Sequence, residues 1–210
     1  MSNGKVTLWG MGTVRQLRPH WMLAELGLDY EYFPVHPRSG ETTKPEFLAI
    51  NPRHKVPVLR HGDMVIAESA AIITYLGEAF PVPAGMHVPR DAVGRAKLNE
   101  WCYFILSELD AASLYVVRRH LGLTHIYGEA PQAVEEAKKY FCEQLGAIDG
   151  RIGATLLAEG FSAADILMAT CLDWAMEEKI PLPPRATAFH AGMMARPAYQ
   201  AARLKAYQKG

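Results

Sequence analysis

From Lys5 to Phe80 strand-type and helix-type runs alternate, and after Pro81-Val82-Pro83-Ala84-Gly85 no strand-type run recurs. Residues 5–9 (KVTLW) form a β-type run that Gly10-Met11-Gly12 stops. The apolar positions between 21 and 28 fit a helix with Gly27 near its end. Residues 30–35 (YEYFPV) are aromatic and extended, and Pro34 suits an edge strand or a strand's end. A short helix is expected over 44–50. Residues 56–60 and 64–66 are two strands around His61-Gly62-Asp63, a hairpin-type turn. Ile72, Ile73, Leu76 and Phe80 then make the buried stripe of a helix. The order is βαβ followed by αββα. A βαβ unit demands a parallel pair and the hairpin adds an antiparallel one, so the sheet must be mixed.

The second half is expected to be all-α. Leu98, Trp101, Cys102, Ile105 and Leu109 have helical spacing, as does much of 132–148. Residues 163–178 are apolar on most of the circumference, which predicts a central buried helix. Pro183-Pro184 breaks the pattern before short C-terminal helices. The expected division is a first domain over 1–81, a linker over 82–87 and a helical domain over 88–210.

Composition narrows the function classes. Lys+Arg and Asp+Glu are both 22, so the formal net charge is zero. That argues against a nucleic-acid partner or an anionic membrane held by a broad basic field. The first ten residues lack the apolar core of a signal peptide, and no apolar run approaches the roughly 18 residues of a membrane span. A soluble, cytoplasmic protein is expected. Cys102, Cys142 and Cys171 are widely spaced with no CxxC, which fits small buried hydrophobes in a reducing compartment better than disulfides or zinc. The eight histidines form no ligand pattern, so no metal is expected.

Three motifs stand out. Asn51-Pro52-Arg53-His54-Lys55-Val56-Pro57-Val58-Leu59 sets a proline at the head of a strand, where no ladder donor is needed. From sequence alone a trans Val56–Pro57 bond is the expectation, because only about 5–6% of X-Pro bonds in folded proteins are cis. Glu68-Ser69 directly precedes a helix; it is either a plain N-cap or a clamp for a carboxylate, which free N–H groups and the helix dipole favour there. Phe161-Ser162-Ala163-Ala164-Asp165-Ile166 has Ser at N-cap, Asp at N3 and a Phe/Ile staple, and reads as structural.

NPRHKVPVL, then AESAAIITYL, then GFSAADI, all in register, resemble the cytosolic glutathione S-transferase superfamily, and RPHWMLAELGLDYEYFPV resembles its first helix and second strand. The likeness covers about residues 5–178. It implies an N-terminal thioredoxin-like βαβαββα domain of α/β class followed by an all-α helical bundle, with a cis bond before Pro57. It further implies that the Val56 main chain pairs with the cysteinyl backbone of glutathione, that Glu68 and Ser69 hold its γ-glutamyl amine and carboxylate, and that Lys55 neutralises the glycyl carboxylate. Many members carry Gly where this chain has His54, whose side chain either contacts the glycyl end or points to solvent.

Members place a Tyr, Ser or Cys near the end of the first strand, aimed at the glutathione sulfur. Aligning Arg18 and Gly27 with the pattern SPxSxR…LLEELG brings Thr13 to the hydroxyl's position, with Arg15 adding positive potential; the bland alternative makes them a turn residue and a solvated charge. Trp9 is either pocket wall or core. With no cysteine before position 102, the mixed-disulfide chemistry of glutaredoxin-like relatives is not expected. The co-substrate pocket is assigned to Tyr103, Ser107, Leu114 and Tyr115 beside the helix near Ala92. The expected activity is transfer of glutathione, as co-substrate, to an apolar electrophile by a homodimer without metal, nucleic acid or membrane. The alternatives are a non-catalytic binding or docking module, or a specialised glutathione-dependent isomerase, peroxidase or dehalogenase.

Overall fold

The computed structural model describes residues 4–207. They divide into two units: one runs to Ala84 and resumes at Ala195, and the other is Gly85–Met194. The expected helical domain, 88–210, thus differs at its end, because the last helix groups with the first unit.

In the first unit β1 (Val6–Trp9) is buried at every residue. It pairs in parallel with β2 (Glu31–Phe33) and antiparallel with β3 (Val58–His61), which continues through Gly62-Asp63 into β4 (Met64–Ala67). The sheet is mixed, in the order β2-β1-β3-β4. Two short helical turns, Glu41–Thr43 and α2 (Pro45–Leu48), precede the 51–57 loop. α3 (Ser69–Ala79) follows β4.

α1 spans Val14–Glu25 and begins seven residues before the apolar pattern suggests. Its buried face includes Gln16, Arg18, Pro19 and His20, so burial there does not follow hydrophobicity. Pro19 removes one helical hydrogen bond, a cost of roughly 3 kcal/mol in a helix interior that packing must offset. The packing is present: Leu17, Trp21 and Leu23 are wholly buried. α1 ends in a Schellman motif, with Gly27 at φ 61°, its N–H on Ala24 O and Leu28 N–H on Leu23 O. α10 (Pro197–Ala206) packs along α1; Trp21 and Tyr199 meet edge to face at 5.0 Å, and Arg196 grips Glu25 bidentately at 2.6 and 2.8 Å.

His20 is a polar group inside this packing. Its Nδ1 is hydrogen-bonded with the Tyr30 hydroxyl at 2.6 Å, and its Nε2 faces the Gly10 backbone without a well-formed bond. Burial pulls its pKa down to about 4; the Gly10 contact opposes this and Lys205 reinforces it.

In the second unit the Asp91 carboxylate caps α4 (Ala92–Phe104), accepting from Val93 and Gly94 N–H at 2.9 Å each. The helix continues as a π-type stretch, Ile105–Leu114, through α5 (Tyr115–Val117) into a second one, Arg118–Gly122. α6 (Thr124–Tyr127), α7 (Pro131–Ile148), α8 (Ala163–Glu177) and α9 (Pro184–Met194) complete it. Every residue from Ala163 to Leu172 is buried, so α8 is the central helix the sequence suggests. Asp165 reaches back to its cap: the carboxylate accepts from Ser162 N–H (2.7 Å), Ser162 O–H (2.8 Å) and Leu156 N–H (2.7 Å). Burial pushes its pKa up to about 6 against the pull of those donors. Phe161 and Ile166, the staple pair, are both buried. Among the described residues no cysteine forms a disulfide, no metal-binding cluster occurs, and no helix is long and apolar enough to cross a membrane.

Asp165→Ala leaves three buried donors without an acceptor and should cost about 2–4 kcal/mol, read as a lower denaturant midpoint. His20 predicts an acid sensitivity. Between its ordinary pKa near 6.5 and about 4 the unfolded chain takes up a proton that the folded one refuses, so stability falls as pH drops through that window. Going from pH 7 to 4.5 should cost about 2–3 kcal/mol more in the wild type than in His20→Gln. Parallel losses in the two proteins would remove His20 as the cause.

Candidate functional site

Three segments of the first unit carry the expected glutathione residues, and each is positioned by contacts of its own. The corner between β1 and α1 is pinned by main-chain bonds: Gly10 N–H to Phe33 O (3.0 Å), Met11 N–H to Val35 O (3.1 Å) and Gly12 N–H to Ala206 O (2.9 Å). Gly10 has φ 129°, and a Cβ there would lie 2.9 Å from Gln16 Cγ and 3.0 Å from Val56 Cβ, so only glycine fits. Thr13 follows as the N-cap of α1, 8% exposed. Its carbonyl accepts from Gln16 and Leu17 N–H, but its side chain makes no cap bond, and among the described residues the hydroxyl has no partner. Arg15 is half-buried on the first turn.

The second segment is the 51–57 loop. Asn51, buried, braces it from within: its amide donates to Lys55 O (2.9 Å) and its Oδ1 accepts from Arg53 N–H (3.2 Å). His54 is exposed at φ 45°, in the left-handed region that favours glycine, which gives a backbone reason for the glycine common in the resembling family. Lys55 is exposed, Val56 half-buried and Pro57 buried. The Val56–Pro57 bond is cis, against the expectation from sequence alone and in line with the resemblance. Among the described residues the Val56 N–H and C=O take no partner. Its side chain packs on the cluster of Trp9, Phe47 and Val58. Trp9 is therefore core, stacked on Phe33 at 5.4 Å with Arg60 over its ring.

The third segment is the head of α3. Glu68 occupies the N-cap at φ 72°, a conformation that costs a non-glycine residue on the order of 1–3 kcal/mol and is retained where surrounding structure dictates it. Its carboxylate is exposed and pairs with Arg53 at 2.8 Å. Ser69 opens the helix and is buried; the wholly buried Arg18 donates from Nη1 to its Oγ at 3.2 Å. Ser69 can then turn its own O–H outward as a donor. The unbonded N–H groups of the first turn and the Arg18 charge behind it make this helix end suited to an anion.

The proposed pocket residues belong to the helical unit and are differently placed. Tyr103 is 65% exposed, and its carbonyl accepts from the Ser107 hydroxyl at 2.8 Å. Tyr115 is half-buried beneath the Arg119 guanidinium. Leu114 is wholly buried and serves packing, a consequence of its inward position in the π-type stretch.

Gln16, Arg18 and Asn51 are buried residues that adjoin these segments, and motif reading passes over them. Asn51 had its signal in NPRHKVPV, and Arg18 served only as an alignment anchor. Thr13-Val14-Arg15-Gln16 has the S/T-x-x-E/Q form of a capping box, yet neither side-chain bond of such a box is made. Gln16 is 1% exposed with neither end of its amide bonded, a desolvation cost of roughly 1–3 kcal/mol.

Residues 4–78 match the family model for the glutathione S-transferase N-terminal domain. Glutathione S-transferase 1 of Dianthus caryophyllus is 35% identical over 147 residues, 68% of this chain and 64% of the relative. The maleylpyruvate isomerase of a Ralstonia species is 31% identical over 161 residues, 77% of this chain and 66% of the relative. The chain thus spans just under two thirds of these relatives' length. A solved glutathione transferase of Methylococcus capsulatus superposes with a TM-score of 0.78 at 29% identity, covering 94% of this chain and 96% of that one. The mixed-sheet unit with its thioredoxin-like order, the helical unit, the family model and these relatives lead to one conclusion: the chain belongs to the cytosolic glutathione S-transferase superfamily.

Proposed function

We propose that the chain is a glutathione-dependent transferase that binds the tripeptide in its first unit and activates the thiol for attack on an electrophile. The observation that carries this reading is the buried Arg18–Ser69 pair at the head of α3, a cation behind a hydroxyl at a helix N-terminus, whose chemistry suits a carboxylate. Ser69 donates to the γ-glutamyl carboxylate, and Glu68 takes the α-amine, exchanging Arg53 for it. The idle Val56 N–H and C=O pair with the cysteinyl backbone, as a strand pairs with its neighbour. Lys55 meets the glycyl carboxylate, with His54 beside it.

Thr13, whose hydroxyl is idle at the head of α1, donates to the sulfur; the helix dipole and Arg15 add to the preference for the thiolate. The thiol proton goes to solvent. A sulfur electron pair forms the C–S bond while the leaving group departs with its bonding pair; in an addition, the displaced pair takes a proton from water. The electrophile is taken up by the helical unit, with Tyr103, Ser107 and Tyr115 as its contacts, and the working form is a homodimer. A second reading is favoured by the likeness to the Ralstonia maleylpyruvate isomerase. In this reading the thiolate adds to an activated double bond of the substrate, the resulting single bond rotates, and glutathione is eliminated unchanged. Consumption of glutathione per turnover separates the two.

Glu68→Ala or Ser69→Ala should weaken glutathione binding by about 1.5–3 kcal/mol in calorimetric titration, the range for a hydrogen bond to a charged group. Unchanged affinity with an intact fold would remove the clamp. Thr13→Val keeps the volume and deletes the donor. Its kcat/KM at neutral pH should fall roughly ten- to a hundredfold and recover partly at higher pH, where free thiol ionises unaided. A variant with the wild-type pH–rate profile would reduce Thr13 to a turn residue.

A further inference from the structure

The face of α1 that carries Thr13 also carries Gln16, one turn further on, and residues three apart on a helix lie side by side. The Gln16 side chain and Val56 both close on Gly10: a Cβ built on Gly10 would meet Gln16 Cγ at 2.9 Å, Gln16 Cδ at 3.4 Å and Val56 Cβ at 3.0 Å. The carboxamide is therefore enclosed between the end of β1 and the residue whose main chain is to hold the glutathione cysteine. Both Nε2 and Oε1 are buried without a partner. Its backbone N–H is already committed to the Thr13 carbonyl at 3.0 Å.

A methionine would fill the same space with no polar group to desolvate. An amide kept idle at this point gains nothing for the fold, and one that meets a ligand there recovers what burial cost it. Seated on Val56, a glutathione cysteine uses its own N–H and C=O on the Val56 main chain, which leaves the sulfur as the group still needing donors. Turning the carboxamide about its side-chain torsions toward that sulfur breaks no hydrogen bond, since it makes none.

We propose that the Gln16 carboxamide is a second N–H donor to the glutathione sulfur, acting beside the Thr13 hydroxyl. This rests on the glutathione reading above. Two donors on one sulfur share the work of holding the thiolate, so removing either leaves part of the effect in place. The neighbouring His20, one further turn along the same face, stays neutral through the range in which the thiol titrates and adds no charge of its own.

The test is Gln16→Met, which keeps length and burial and deletes the amide. The thiolate absorbance of enzyme-bound glutathione is followed against pH, the affinity for S-methylglutathione is measured by calorimetry, and the ligand-free protein is melted. The expected result is a titration midpoint about one pH unit higher, which is about tenfold less thiolate below both midpoints. S-methylglutathione affinity should stay within about twofold, and the melting temperature should be unchanged or higher, because a cost of burial has been removed. A midpoint identical to the wild type's overturns the assignment, and so does a variant that fails to fold, since the amide would then be serving the structure. Wild-type protein that binds no glutathione in the same calorimeter overturns the glutathione reading itself, an outcome distinct from a Gln16 failure with binding intact.

Discussion

Gly10, Met11 and Gly12 leave β1 with their N–H groups bonded to Phe33, Val35 and Ala206, and this three-point tether decides where α1 begins. Everything expected to touch the sulfur is measured from that corner. Thr13 stands at the N-cap position one residue after the tether, its hydroxyl unspent on the helix. Gln16 and Val56 both close against Gly10, where a Cβ would meet each of them. A side chain at position 10 would have to push either Gln16 or Val56 aside. The unit holds α1 in place from its far side as well, where α10 packs on Trp21 and Arg196 grips Glu25.

Two helix starts, those of α1 and α3, supply the electrostatics. Each leaves N–H groups of its first turn without helical acceptors, and each is backed by charge or donors that the fold has already desolvated: Arg18 behind Ser69, and Thr13 with Gln16 at the other. The left-handed conformations of Glu68 and His54 and the idle amide of Gln16 are local costs of order 1–3 kcal/mol each. They fall together around one site, where local rules are most often broken in favour of binding. A glutathione thiol, near pKa 8.5 when free, needs only about 1.4 kcal/mol of preferential anion stabilisation for each unit by which it is lowered, which one or two such donors can supply.

Much of this was legible in the chain and some was not, for identifiable reasons. The strand and helix alternation up to Phe80, the Gly62-Asp63 hairpin and the Phe161/Asp165 cap are local patterns, and local patterns survive in one dimension. The start of α1 was hidden because Gln16, Arg18 and His20 are polar residues that the fold buries, and because Pro19 reads as a helix breaker. The return of α10 to α1 is a pairing of residues such as Glu25 and Arg196, far apart along the chain, which no window contains. Leu114 is assigned to the co-substrate pocket from sequence; the π-type stretch departs from regular helical spacing and Leu114 lies wholly buried in the core. Gln16 carried only the signal of a capping box, and the structure leaves that box open. Its place beside Val56 depends on the β1–α1 corner, which is tertiary.

A thiolate held at the head of α1 is the centre of the proposed chemistry. Ultraviolet difference titration of glutathione bound to the wild-type protein reads that species directly. The expected result is a thiolate band whose midpoint lies about one to two pH units below that of free glutathione, as one or two charge-assisted hydrogen bonds would give. Bound glutathione that ionises at the same pH as the free tripeptide would contradict it, and would leave a module that binds glutathione without activating it.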